Sequence, residues 1–274
     1  MKSNTKESYQ DLAVRIRAHI LRMSHHAHSS HVGSALSIVD LLAVLYKKVL
    51  RVDAAHPDWP DRDRFILSKG HSCAALYAVL AEGGFFPKEW LEAYGENGSH
   101  LLEHIANNVP GVEASTGSLG HGLPIGCGMA LAGARDRRPY RVFVMLSDGE
   151  CDEGSTWEAA LFAPHHRLDN LVTIIDHNKL QAFGKVSEVL DLKPLADKWR
   201  AFGWAVREID GHDFGQIEEA LSSVPFEVGK PSCMIAHTVK GKGVSFMENQ
   251  LAWHYKSPND EQLRQALDEL GVTQ

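Results

Sequence analysis

Two oxygen-bearing side chains, those of Asp148 and Asn178, each follow a short apolar run of the chain. Mg²⁺ prefers near-octahedral oxygen ligation, and it commonly takes one or two protein side chains while phosphate oxygens and water complete its shell. Gly149 follows Asp148, and the first N–H groups of the next helix can face anionic oxygens, because a helix start has unpaired donors and a partial positive charge. These residue types predict a site for a metal-bridged diphosphate.

The segment around these residues predicts a strand, a helix and a second strand. Residues 141–146 form a short apolar run of the kind that a parallel sheet buries on both faces, and residues 171–176 form another. Residues 155–166 carry apolar side chains at helical spacing, with Ser155 as the expected N-cap. Right-handed crossovers place such strands side by side or nearly so, which brings both carboxyl ends to one edge of the sheet. Open α/β sheets bind ligands at that edge.

The acidic cluster around Asp148 allows two other interpretations. An EF-hand calcium loop requires Gly at its sixth position and Glu at its twelfth, and counting from Asp148 these positions hold Glu153 and Ala159. The calcium-loop interpretation therefore fails. A solvated acidic turn between two core elements remains as an alternative, although the distant Asn178 and the Gly-rich context argue against it.

The same segment resembles the thiamine diphosphate motif in its transketolase form. The dipeptides and tripeptide that carry the resemblance are Asp148-Gly149, Glu153-Gly154, Glu158-Ala159, Asn170-Leu171 and Asp176-His177-Asn178. Four further segments resemble consecutive parts of a transketolase N-terminal domain, namely residues 29–46, 61–80, 111–132 and 202–221. The resemblance implies an α/β fold, a parallel sheet sandwiched by helices, as one pyrophosphate-binding domain over residues 1–274.

The resemblance also implies roles for individual residues. The expected ligands of Mg²⁺, or of another divalent cation such as Ca²⁺ or Mn²⁺, are Asp148, Asn178 and the backbone carbonyl of Leu180. The expected contacts to thiamine diphosphate are His71, Gly117, Leu119, Asp148, Gly149, Glu153, Asn178 and His254. The expected catalytic histidines, whose imidazoles suit proton transfer near neutral pH, are His31, His71, His104 and His254. Glu153 is expected to reach towards a partner domain.

Several positions depart from the family pattern. Ser147 stands where Gly commonly precedes the metal-binding Asp, and His121 stands where Gln is frequent. The usual Gly-His-Pro segment is replaced around His104, so the choice between His104 and His100 for the substrate-facing role stays open. Tyr255 follows His254 where Gly is usual. The last two changes lie where a sugar should bind, so the resemblance leaves the sugar open.

Chain length makes the functional expectation more specific. The chain has 274 residues, whereas a complete transketolase is more than twice as long and includes a pyrimidine-binding domain. We therefore expect the N-terminal subunit of a split transketolase, active only with a separate C-terminal subunit in a dimer of heterodimers, which is a heterotetramer. The expected reaction transfers a two-carbon ketol unit from a ketose, by default a sugar phosphate, to an aldose.

Three alternatives compete with this function. Two stay within the cofactor class, a half-enzyme similar to 1-deoxyxylulose-5-phosphate synthase and a 2-oxoacid dehydrogenase α subunit. The Glu153-Gly154 pair favours transketolase, because the first family lacks it and the second typically has Gln-Gly. The third alternative is a non-catalytic scaffold or regulatory subunit with a retained diphosphate pocket, and the presence of both Asp148 and Asn178 argues against it.

Composition excludes several classes of partner. The chain has 28 Lys and Arg against 35 Asp and Glu, which gives a formal net charge of −7, and it has no basic stripe. This composition argues against nucleic acid and anionic membranes as partners and leaves small metabolites as the expected ligands. The four cysteines show no metal-binding spacing, and the chain has no secretory signal or run of about eighteen apolar residues. We expect reduced thiols and a cytoplasmic protein.

The remaining periodicity predicts further elements of a layered fold. Helices are expected near residues 7–27, 37–49, 71–82, 120–135 and 213–223, with an amphipathic C-terminal helix at about 259–270. Later strands are expected at residues 204–209 and 232–237.

Overall fold

The computed structural model describes residues 8–272 and contains a five-stranded parallel sheet. The strands are β1 (Arg64–Leu67), β2 (Val142–Ser147), β3 (Leu171–His177), β4 (Ala205–Asp210) and β5 (Ser232–His237). Their order across the sheet is β1-β2-β3-β5-β4, and every neighbouring pair is parallel. The predicted α/β class is confirmed.

The register of β2 and β3 fixes the position of the residues that follow them. Ser147 pairs with Asp176, and the backbone N–H of Asp148 donates to the Asp176 carbonyl at 3.2 Å. The two strands therefore end side by side. Asp148 and Asn178 leave the sheet at the same edge, as the right-handed crossover predicts.

Ten α-helices lie among the described residues. They are α1 (Tyr9–His26), α2 (Val32–Ser37), α3 (Val39–Val44), α4 (Cys73–Glu82), α5 (Gly122–Arg135), α6 (Gly154–His165), α7 (Val186–Val189), α8 (Leu195–Ala201), α9 (Phe214–Ser222) and α10 (Asp260–Glu269). Short helical turns add a π-helical turn at Leu45–Val49 and 3₁₀ turns at Gly70–Ser72, Lys88–Ala93, Gly149–Asp152 and Leu251–His254. None of the helices in the described part of the chain is long and apolar enough to cross a membrane.

Two apolar cores lie on opposite faces of the sheet. Alternate residues of β2 divide between them, because successive side chains of a strand point to opposite faces: Phe143 and Met145 join one core, and Val144 joins the other. Helices α1 to α4, α9 and α10 contribute to the first core, and α5 to α8 contribute to the second. The sheet is thus sandwiched by helices.

The structure differs from the sequence predictions in three respects. Strand β1 was not predicted, because four residues give too little periodicity to be recognised. The expected single helix over residues 37–49 is instead divided, since α2 starts at Val32 and the backbone leaves helical geometry at Ile38 (φ −100°, ψ 2°). Ser155 is not an N-cap, since α6 begins at Gly154 and the Ser155 hydroxyl donates to the Gly120 carbonyl at 2.8 Å.

Both ends of the described chain carry capped helices. Ser8 caps α1 and Asn259 caps α10, each through a capping box in which side chain and backbone bond reciprocally. The helix expected at about 259–270 is therefore present. Residue 7, where the first helix was expected to begin, lies outside the described residues.

Candidate functional site

A pocket of about 410 Å³ opens at the carboxyl edge of the sheet, where β1, β2, β3 and β5 end. The structure places every site residue expected from the sequence on its wall, namely His31, His71, His104, Gly117, Leu119, Asp148, Gly149, Glu153, Asn178, Leu180 and His254. Other residues on this wall were not expected from the sequence, among them Ser34, Lys69, Gln181 and Lys240.

Asp148 and Asn178 are both buried and both bond to the turn that follows β3. The Asp148 carboxylate accepts from the N–H of Gly149 at 2.8 Å and from the N–H of Lys179 at 2.6 Å. The Asn178 amide oxygen accepts from the N–H of Leu180 at 3.1 Å. Two side-chain oxygens are therefore held at one end of the pocket by the backbone.

The charge of Asp148 is poorly balanced by its neighbours. Burial, followed by the negative charge of Asp176, raises the pKa of Asp148 to about 6. His177 Nδ1 lies 3.7 Å from the carboxylate, but burial lowers the pKa of His177 to about 4, so this imidazole is neutral at pH 7. A divalent cation would neutralise the carboxylate, and the donor set fits a hard cation because it consists of oxygens.

The protein alone supplies few ligands at this position. Within residues 8–272, no three His, Cys, Asp or Glu side chains are grouped so that they could hold a metal ion. A cation between Asp148 and Asn178 would therefore need oxygens from a ligand or from water, which is how Mg²⁺ commonly binds beside phosphates.

The buried carboxylate of Asp176 holds several residues of the site in place through hydrogen bonds. Its carboxylate is fully buried and accepts from Lys69 Nζ at 2.5 Å, from Ser37 Oγ at 2.8 Å, from Asn178 Nδ2 at 3.0 Å and from the Thr238 hydroxyl. Burial raises its pKa, but the Lys69 charge and the hydrogen bonds outweigh burial and hold the pKa of Asp176 below its usual value. The ionised carboxylate orients the Asn178 amide so that its oxygen remains available.

Two buried lysines reach the pocket from the ends of other strands. Lys69 follows β1, and besides Asp176 it contacts the Ser34 carbonyl at 3.1 Å. Lys240 follows β5, and its Nζ donates to the Leu180 carbonyl at 2.9 Å. Burial, followed by the positive charge of Lys69, lowers the pKa of Lys240 to about 8. Both lysines lie shortly after strands, but the sequence predicted only the strand before Lys240 and does not show that either lysine is buried.

Four histidines line the same pocket. The ring of His31 lies 5.1 Å from that of His71, 4.9 Å from that of His254 and 6.1 Å from that of His104, centroid to centroid. His31 has a left-handed backbone (φ 70°), and its N–H donates to the His254 carbonyl at 2.9 Å. The hydrogen bond joins two parts of the chain that are far apart in sequence.

Burial keeps three of these imidazoles neutral. Burial first, and neighbouring positive groups after it, lower the pKa of His31 to about 4 and that of His254 to about 3. The pKa of His71 is also well below its usual value, first because of burial and then because of Lys69. A neutral imidazole has one donor and one acceptor nitrogen, so the cluster can pass or hold protons at neutral pH.

The structure distinguishes His104 from His100. His104 lines the pocket, and a Cβ added to Gly117 would lie 3.4 Å from its Cδ2 atom. His100 instead stacks on Trp90, with ring centroids 4.4 Å apart and planes 19° apart, and it is not part of the pocket wall. Of the two candidates, only His104 lines the pocket.

The loop that contains Gly117 and Leu119 is fixed by close packing at Gly120. Gly120 has φ +82°, and a Cβ at this position would lie 2.8 Å from Glu153 Cβ, so only glycine fits. Glu153 itself is exposed at the rim of the pocket. Tyr255 also stands near the rim, where its hydroxyl donates to the Ala182 carbonyl at 3.0 Å.

Comparison with protein families gives a match over almost the whole chain. Residues 8–274 match the family described as "Transketolase, thiamine diphosphate binding domain". The chain belongs to this family. The resemblance seen in the motif around Asp148 is therefore confirmed.

Curated relatives of similar length carry transketolase names. The chain is 45% identical over 241 residues to "6-deoxy-6-sulfo-D-fructose transketolase subunit SqwG" of Clostridium sp. (strain MSTE9). The matched region covers 88% of this chain and 88% of that protein. It is 42% identical over 254 residues to an apulose-4-phosphate transketolase subunit of Phocaeicola vulgatus, covering 93% of this chain and 90% of that protein. The expectation of a transketolase-type transferase subunit that is part of a larger enzyme is confirmed.

Solved transketolases share the fold. The enzyme from Leishmania mexicana superposes with a TM-score of 0.92 at 28% identity, covering 97% of this chain and 42% of that one. The enzyme from Campylobacter jejuni gives a TM-score of 0.90 at 30% identity, covering 96% of this chain and 43% of that one. The chain thus spans less than half the length of these solved transketolases.

Proposed function

We propose that this chain is the N-terminal, diphosphate-binding half of a two-chain transketolase, and that residues 1–274 form one such domain. The observation that carries the proposal is the shared pocket, which is lined both by Asp148, Asn178 and Leu180 and by the histidine cluster around His31. A metal-bridged diphosphate cofactor would require oxygen ligands, and a sugar would require groups that transfer protons. This cavity offers both.

Different residues of the chain are proposed to bind the metal ion, the diphosphate and the aminopyrimidine of the cofactor. Asp148, Asn178 and the Leu180 carbonyl would hold Mg²⁺, or Ca²⁺ or Mn²⁺ in its place. The Gly149 backbone, His71 and the two buried lysines would face the diphosphate, and the Gly117–Leu119 loop would contact the aminopyrimidine. Bound thiamine diphosphate supplies the nucleophilic carbon that takes up and releases a two-carbon ketol fragment.

The histidines are proposed to act on the sugar. His31, His71, His104 and His254 would hold or move protons at the hydroxyl and carbonyl oxygens next to the bond that breaks. Their neutral state suits this work, because a neutral imidazole can both accept and donate a proton. The buried surroundings that lower the pKa values of His31 and His254 would also limit the access of water.

A separate C-terminal subunit is proposed to complete the site. Both relatives named above are called subunits, and the solved transketolases carry further sequence beyond the part that this chain matches. Exposed Glu153 at the pocket rim would face that subunit. The proposed assembly is a dimer of heterodimers in the cytoplasm, and the four buried, unpaired cysteines agree with a reducing compartment.

Small sugars with an anionic end group are the proposed substrates, with sugar phosphates as the first class to test. The relatives' names include a phosphate and a sulfo sugar, so the anionic group differs within the family. Coexpression of this chain with a candidate C-terminal subunit, followed by assay of ketol transfer from a panel of ketoses, tests the proposal. Activity is expected only when both chains and the cofactor are present, and full activity of this chain alone would contradict it.

A further inference from the structure

Glu150 is a buried carboxylate that contributes nothing to the pocket wall yet bonds to three segments that do. It is 0% exposed, and its carboxylate accepts from the Ser68 hydroxyl, from the Gly120 N–H at 2.9 Å and from the Ser147 N–H at 3.4 Å. All three partners are donors. The carboxylate is therefore used entirely as an acceptor that joins separate parts of the chain.

Each partner belongs to a segment that lines the pocket. Ser68 follows β1 and directly precedes Lys69, with His71 two residues further on. Gly120 ends the loop that contains Gly117 and Leu119, and Ser147 ends β2 directly before Asp148. Glu150 thus connects the three segments around the proposed cofactor.

Ser68 extends the connection by one more bond. Its Oγ accepts from the Gly122 N–H at 3.0 Å, so the proton of this hydroxyl is free to be donated to Glu150. The fit is close, because a Cβ at Gly122 would lie 2.9 Å from the Ser68 Cα atom. In addition, the Glu150 N–H donates to Ser147 Oγ at 3.2 Å, and Thr156 Oγ1 donates to the Glu150 carbonyl at 2.9 Å.

We propose that Glu150 and Ser68 form a positioning pair that sets the spacing between the diphosphate end of the pocket and the Gly117–Leu119 loop. The inference rests on the proposed function, since it concerns binding of thiamine diphosphate. The pair touches neither cofactor nor substrate. It acts through Ser147 on Asp148 and through Gly120 on the loop.

The decisive variant is Glu150→Gln, which preserves the shape of the side chain. Glutamine can offer its single oxygen to Ser68 and Gly120, but its NH₂ then faces the Ser147 N–H, donor against donor. We expect the affinity of the two-chain complex for thiamine diphosphate with Mg²⁺ to fall by about tenfold, the loss of roughly one hydrogen bond. The turnover number at saturating cofactor should change by less than about threefold, because the reacting groups stay in place.

Ser68→Ala provides a second and independent route to the same pair. It removes the hydroxyl between Glu150 and Gly122 while leaving the carboxylate in place, and a similar loss of affinity is expected. Because both changes break one connection, the double variant should bind the cofactor no more weakly than the poorer single variant. Affinity is measured by titration calorimetry or by tryptophan fluorescence, without reference to activity.

A matched control separates positioning from stability. Glu82 is also a buried carboxylate, with a side chain 4% exposed, but its partners Arg15, His19 and Lys88 are not part of the pocket. Glu82→Gln should lower the unfolding midpoint without changing cofactor affinity. Unchanged affinity in both Glu150→Gln and Ser68→Ala would overturn the inference, as would equal losses of affinity in Glu82→Gln.

The failure of this inference is distinguishable from the failure of the proposed function. If the wild-type complex binds the cofactor and Asp148→Ala does not, but Glu150→Gln and Ser68→Ala bind normally, only the positioning pair is wrong. If the wild-type complex itself shows no metal-dependent binding, the proposed function is wrong and the inference falls with it.

Discussion

Lys240 Nζ lies 3.0 Å from Nδ1 of His254. A lysine ammonium can only donate, so Nδ1 of His254 is the acceptor and the ring proton is on Nε2. The same ammonium donates to the Leu180 carbonyl at 2.9 Å. One buried lysine therefore joins the proposed metal-binding turn to the histidine cluster and selects the tautomer of His254.

Replacing Lys240 tests this connection. Lys240→Met keeps much of the apolar stem but removes the donor, so His254 loses its fixed tautomer. We expect the turnover number of the two-chain complex to fall by roughly a hundredfold, the lower end of what a positioned acid–base group contributes. Lys242→Met is the matched control, because Lys242 pairs with Glu248 at 3.4 Å near the surface. Equal activity of the two variants would rule out a role for Lys240.

His104 and His100 form a natural pair of variants. His104 lines the pocket, whereas His100 stacks on Trp90 outside it. His104→Ala should raise the KM for the ketose by about tenfold, the effect of losing one hydrogen bond to the sugar, and leave cofactor affinity unchanged. His100→Ala should leave the KM for the ketose close to that of the wild type. Steady-state kinetics with a ketose that the wild-type complex accepts measures the KM of both variants. A raised KM in His100→Ala and an unchanged KM in His104→Ala would assign the substrate-facing role to His100 instead.

The ion pairs of the Glu82 carboxylate are expected to make a pH-dependent contribution to the stability of the fold. Burial raises its pKa, but bonds from His19 at 2.9 Å, Lys88 at 2.6 Å and Arg15 at 2.8 Å outweigh burial and lower the pKa of Glu82 well below the usual 4.5. A lowered folded-state pKa gives stability that is complete above the unfolded-state pKa and lost as the pH falls through the folded-state pKa.

Glu82→Gln should therefore destabilise the protein by about 2 kcal/mol at pH 7, a value typical of hydrogen bonds to a charged group. The difference from the wild type should shrink as the pH falls below about 4.5, where the unfolded carboxyl becomes protonated. Urea unfolding at pH 7 and pH 4 measures both values. A difference that stays constant or grows at pH 4 would show that the ion pairs are not its source.

Asp148 and Asn178 could be placed from the sequence because each follows a recognisable buried strand. Parallel strands with a right-handed crossover leave few arrangements, so the edge where these residues meet was predictable. Strand β1 was not predicted, because its four residues carry too weak a pattern of apolar side chains. Lys69, which follows β1, was not recognised for the same reason. Lys240 was missed although the strand before it had been predicted, because the sequence does not show that a lysine is buried.

Other contacts depend on packing that periodicity does not encode. The hydroxyl of Ser155 was predicted to cap α6. Because Gly120 packs closely against this residue, the hydroxyl instead donates a hydrogen bond to the Gly120 carbonyl. The choice between His104 and His100 required the position of Trp90 in space. The acceptor role of Glu150 likewise depends on segments far apart in the chain.

The most direct measurement is the binding of thiamine diphosphate to the two-chain complex with and without a divalent cation. With Mg²⁺ we expect saturable binding, and chelation of the metal should abolish it, because phosphate oxygens cannot approach Asp148 without a cation between them. Asp148→Ala should abolish the metal-dependent part, whereas Asp136→Ala, at the exposed end of α5, should bind as the wild type does. Wild-type affinity in Asp148→Ala, or binding that is indifferent to the metal, would contradict the assignment of this pocket.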